Sequence, residues 1–126
     1  MISIAQWGLL ILISLFLILH FFILLKWIPY NLVWGGRLKS DKEMYRFETF
    51  SILMNSLFVI IILVQGSLLA IDIPKRIITF ALWLMMGLFL LNTLGNATSK
   101  NKLEQRIFTP ITILLAIFSL ILALSS

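Results

Sequence analysis

Four apolar runs, each about as long as a bilayer is thick, leave this chain little freedom in how it folds. They are IAQWGLLILISLFLILHFFILL (4–25), FETFSILMNSLFVIIILVQGSLLA (47–70), IITFALWLMMGLFLLNTLG (77–95) and IFTPITILLAIFSLILAL (107–124). A helix rises 1.5 Å per residue, so about 20 apolar residues cross a hydrocarbon core ~30 Å thick. In lipid the backbone must satisfy its own amides, which favours helices over open sheets. The connections, 26–46, 71–76 and 96–106, are too short to hold a soluble domain. The expected architecture is an all-α integral membrane four-helix bundle, up-down-up-down. Its helices should cover about 4–25, 40–70, 75–96 and 102–125, in one domain over 1–126.

Composition agrees. Of 126 residues, 61% are hydrophobic and 12% charged, which is more apolar surface than a small soluble globule can hide. Net charge is +5, but the cations cluster between the runs and form no basic face, so nucleic acid is not an expected partner. There is no Cys and one His. Thiolate chemistry is therefore absent, and no metal or cofactor site is expected. The first run has no Lys or Arg before Lys26 and exceeds a signal-peptide core in length. It reads as a retained anchor.

Orientation follows from Lys and Arg near the span ends. The first and third connections carry Lys26, Arg37, Lys39, Lys42, Arg46, Lys100, Lys102 and Arg106; the second has Lys75 and Arg76. This bias places both long loops in the cytoplasm and both termini outside. Trp27, Tyr30 and Trp34 suit one interfacial belt and Trp7 the other, while Trp83 is expected to pack against neighbouring helices.

Local signals refine the ends. Pro29 should stop the first helix, and Gly35-Gly36 permits a reversal. Ser40-Asp41-Lys42-Glu43 matches a capping box, and Asn101-Lys102-Leu103-Glu104 is a weaker one. Pro110 should kink a fourth helix that begins near Lys102, because a start at Pro110 leaves too few residues to span. Pro74 fits a first turn, and Gln65-Gly66-Ser67 reads as fraying. Gly35, Lys42, Arg46 and Thr49 recur sixty residues later as Gly95, Lys102, Arg106 and Thr109, which reads either as a faint repeat of two-span units pointing the same way or, more simply, as two hairpins with similar caps.

Polar groups within spans must find partners. Glu48, Ser51 and Asn55 share one helical face, and Asn92 and Asn96 share another. Together with His20, Thr109 and Thr112 they form a candidate cytoplasm-facing polar cavity. His20 could relay a proton, and Glu48 could receive a cation or support protonated His20. The plainer alternative is mutual hydrogen bonding, worth ~0.6 kcal/mol per contact, that fixes helix register. Thr109, Thr112, Ala116, Ser119 and Ala123 form a small-residue stripe of the kind that lets helices approach closely.

The segments WGGRLKSDKEMYRFE (34–48) and LNTLGNATSKNKLEQRIFTP (91–110) resemble a pattern in small bacterial four-span membrane proteins that carry no assigned activity. The resemblance covers nearly the whole chain. It implies an inner-membrane setting and a compact bundle, and supplies no reaction. Small multidrug exporters differ, since they carry an embedded Glu in the first span where this chain has His20. The first-choice expectation is a non-enzymatic partner or modulator that packs against another membrane protein or its own copies. The alternative is a small oligomeric permease or channel built on the polar cavity.

Overall fold

The computed structural model describes residues 1–32 and 38–126. Trp34, Gly35, Gly36 and Arg37, singled out above, lie outside the described residues. Four long helices form: α1 (Ile2–Leu24), α2 (Asp41–Gln65), α3 (Lys75–Ala97) and α4 (Thr109–Ser125). A π-helical turn, Glu104–Phe108, leads directly into α4. All four helices are long and apolar enough to cross a membrane when that turn is counted with α4. No strand occurs among the described residues.

The ends of the helices have identifiable causes. At Ser40 the side chain accepts from the Glu43 amide at 3.2 Å, as a cap should. The return bond differs from the box, because the Glu43 carboxylate accepts from the Lys39 amide at 3.3 Å. α1 stops well before Pro29. Lys26 adopts a left-handed backbone, φ 64°, and Trp27 donates to the Phe22 carbonyl at 2.8 Å. That is a Schellman closure. α2 ends the same way, at Gln65 rather than near residue 70. Ser67 has φ 59°, and Leu68 donates to the Leu63 carbonyl at 2.9 Å. The turn at Gln65-Gly66-Ser67 is thus a defined stop rather than a frayed end. Pro74 stands at the N-cap of α3, one residue before its first turn.

Helical turns resume after Asn101, whose side chain accepts from the Leu103 amide at 2.9 Å. The expected return from Glu104 does not form. Ser99 Oγ takes the Asn101 amide instead, at 3.0 Å. Before Pro110 the helix widens, and the Thr109 amide reaches back five residues to the Glu104 carbonyl. Proline cannot donate, and its ring crowds the carbonyl four residues back. The π-turn accommodates both problems within one continuous helix.

Packing runs α2 on α1, α1 on α4, and α4 on α3; α2 and α3 meet only sparsely. Each helix presents an inward stripe spaced at three and four residues. On α1 it includes Ala5, Leu9 and Ile13; on α2, Phe58 and Ile62; on α3, Ile78, Leu82, Met85 and Phe89; on α4, Leu115, Leu122 and Ala123. These residues form the main core, in the half of the bundle away from the two long connections. A small second cluster of Ile23, Leu38 and Met44 lies at the other end. Ala116, Ser119 and Ala123 are buried, so much of the small-residue stripe of α4 is used inside the bundle. Trp83 departs from its expectation, being 41% exposed on the outer surface.

Candidate functional site

Between the two apolar clusters the inward stripes turn polar. On α2 the stripe that carries Phe58 and Ile62 continues back through Asn55, Ser51 and Glu48, at the same helical spacing. On α3 the stripe of Met85 and Phe89 continues forward to Asn92 and Asn96. On α1 it reaches His20, and along α4 and its π-turn it runs through Thr112 and Phe108 to Glu104. Apolar residues pack closely at one end; the polar ones surround a cavity of about 580 Å³ at the other.

All four helices line this cavity. α1 gives Phe16, Leu19 and His20; α2 gives Glu43, Phe47, Ser51 and Asn55. α3 gives Phe89, Leu91, Asn92, Gly95 and Asn96, and α4 with its π-turn gives Glu104, Phe108, Thr112 and Leu115. Among the described residues of the first connection, Leu38 lines it as well. The cavity therefore gathers the C-terminal ends of α1 and α3 with the N-terminal ends of α2 and α4.

Six of the eight sequence candidates line it: His20, Ser51, Asn55, Asn92, Asn96 and Thr112. Glu48 and Thr109 do not. Glu48 is fully buried, and its Oε2 is hydrogen-bonded to Nδ1 of His20, which is 16% exposed. A carboxylate held this way orients the ring. Thr109 bonds to its own helix, donating to the Glu104 carbonyl at 3.2 Å.

The remaining polar groups show how the wall is built. Asn55 donates to the Ser51 carbonyl at 2.8 Å. Thr93 donates to Thr112 at 2.9 Å, and Thr112 donates to the Phe108 carbonyl at 2.9 Å, tying α3 to α4. Among the described residues no buried side-chain nitrogen or oxygen lacks a partner. Asn92 is exposed, although it lies within the apolar stretch of α3. Such an amide in lipid is costly unless something meets it.

Sequence reasoning assigned Glu43 and Glu104 to capping and so missed them as lining residues. Glu104 is 4% exposed. Its place eight residues before Thr112, on one helical stripe, was the available signal. Outside the spans, Lys26 Nζ lies 2.5 Å from Asp41 Oδ2 and over the Tyr45 ring. The hydrogen bond to the Asp41 carboxylate raises the Lys26 pKa above its ordinary value. Both groups are about half exposed, so this pair adds little stability.

No protein-family model, curated protein or solved structure matches the chain.

Proposed function

We propose that this chain is a small non-enzymatic permease of a bacterial inner membrane, working as an oligomer, with a cytoplasm-facing cavity that receives its solute. The carrying observation is a cavity of about 580 Å³ that draws its lining from all four helices and has His20 in its wall, held from behind by the buried Glu48. Ionisable residues kept within a span at such cost commonly mark ion or solute pathways. The positive bias of the two long connections supports both termini lying outside. Reporter fusions at Ser126 should then behave as extracytoplasmic, and fusions in the 96–106 connection as cytoplasmic.

Gly95 offers a direct test. A Cβ there meets nothing within 4 Å, so Gly95→Leu should intrude on the cavity without disturbing the core. In proteoliposomes the variant should lose at least tenfold in solute or ion flux while melting as the parent does. His20→Ala and Asn55→Ala should also lose flux. If all three variants conduct normally and only melt earlier, the polar cluster is helix-packing glue. The rival reading, a modulator subunit, draws support from the short connections. It is favoured if mild-detergent purification brings down a stoichiometric foreign membrane protein.

A further inference from the structure

The polar groups of the cavity wall divide by charge. The ionisable ones are already engaged: His20 with Glu48, Glu43 with the Lys39 amide, and Glu104 with a partner of its own. Four uncharged side chains keep hydrogen-bonding capacity. Asn55 gives its amide nitrogen to the Ser51 carbonyl, which leaves its own side-chain oxygen over. The Ser51 hydroxyl and the Asn92 and Asn96 carboxamides make no hydrogen bond among the described residues.

These four stand as two rungs on each of two helices. Ser51 and Asn55 are one turn apart on α2, and Asn92 and Asn96 one turn apart on α3. Rungs at that spacing lie roughly 6 Å apart, far enough to meet two polar groups of one molecule. A carboxamide offers both donors and an acceptor, and so does a hydroxyl. Phe16, Phe89, Phe108 and Leu115 supply an apolar wall beside them. An ion that entered would exchange water for groups that bring no opposite charge. That transfer costs far more than the same one for a hydroxyl or an amide.

Resting on the permease reading above, we infer that the solute is an uncharged molecule with hydroxyl or amide groups and a hydrocarbon part, bound through Ser51, Asn55, Asn92 and Asn96. Its polar groups take up the hydrogen bonds that the chain leaves open, and its hydrocarbon part lies on the phenylalanines. A cavity of about 580 Å³ is of the size that holds a small molecule. The same chemistry has two sources, a free polyol or amide and the head of an uncharged lipid, and the experiment separates them.

The test uses full-length protein in phosphatidylcholine nanodiscs with probes of one tail length: 1-decanoylglycerol, decyltrimethylammonium and decyl sulfate. 1-Decanoylglycerol should bind saturably and at least roughly tenfold tighter than either ion. Displacement by excess free glycerol assigns the site to free polyols, and resistance to it assigns the site to a head carried on lipid; both results support the uncharged class. Asn92→Leu with Asn96→Leu should weaken 1-decanoylglycerol binding roughly tenfold, about what two hydrogen bonds contribute. The same variant should melt at or above the parent temperature, because neither amide ties the helices together. Equal binding of either ion, or unchanged 1-decanoylglycerol binding in the variant, overturns this inference and leaves the permease reading standing. A lower melting temperature in the variant overturns it too, since the amides are then packing contacts. Absence of saturable binding by every probe has the same effect and, joined to normal flux in the Gly95→Leu variant, overturns both readings.

Discussion

Glu48 and His20 carry the sharpest physical question among the individual residues. Polar contacts between spanning helices average ~0.6 kcal/mol and reach ~1.7 in double-mutant cycles, because the separated helices find other partners. This pair joins a fully buried carboxylate to a partly buried imidazole, so it belongs at the upper end of that range. A cycle of His20→Gln and Glu48→Gln, read by reversible unfolding in mixed micelles, should return a coupling of about 1.5 kcal/mol. A coupling near zero would mean that the two side chains do not depend on one another. A second residue-scale outcome concerns Ser67, whose φ of 59° is the region that glycine occupies freely. Ser67→Gly should stabilise the protein by about 1 kcal/mol in the same assay, since left-handed backbone costs other residues ~1–2 kcal/mol. At this scale the candidate residues were legible from depth, because polar groups stand out against oil. Glu104 was not. Its capping role depended on an amide that Ser99 Oγ takes instead, a contact between nearby residues that no periodicity reveals.

Within the helices, the useful pattern is a stripe that changes character along its length. Ile78, Leu82, Met85 and Phe89 fill space, and Asn92 and Asn96 continue the same register beside the cavity. Spacing at three and four residues is the coiled-coil seam, which keeps one face turned inward over many turns. Glycine sets the closeness of one of these contacts. A Cβ on Gly8 would lie 2.4 Å from the Phe118 ring, whereas one on Gly87 meets nothing within 4 Å. Gly8→Ala should therefore cost about 1–3 kcal/mol by overpacking α1 against α4. Gly87→Ala should be neutral or stabilise by up to ~1 kcal/mol through helix propensity. If both substitutions move the unfolding midpoint equally, the Gly8–Phe118 contact is not tight. Helix starts were legible because Ser40 and Asn101 act through their own neighbours. The end of α2 was not, because the apolar run continues to Ala70 while the backbone turns at Ser67; hydropathy records solvent preference and carries no φ angle.

Taken whole, the bundle divides into two pairs. Gln6 donates to Gln65 at 2.8 Å and His20 meets Glu48, joining α1 to α2 at both ends. Thr93 donates to Thr112, and the Thr79 and Ser126 hydroxyls lie 2.8 Å apart, joining α3 to α4 likewise. Between the pairs, α1 meets α4 through apolar side chains of the shared core. Dispersion there has no hydrophobic assistance, since lipid tails are equally apolar. A protease site inserted into the connection between α2 and α3 should give a nicked protein that still copurifies as two fragments in mild detergent. It should part into those fragments at a lower SDS fraction than either pair needs to unfold. Separation of the fragments already in mild detergent would show that the connection itself holds the pairs together. The four bonds named here all lie within the pairs, so a rocking of one pair on the other about the greasy α1–α4 line, as covers turn about a spine, would leave those four unbroken while the gap opposite grew or shrank.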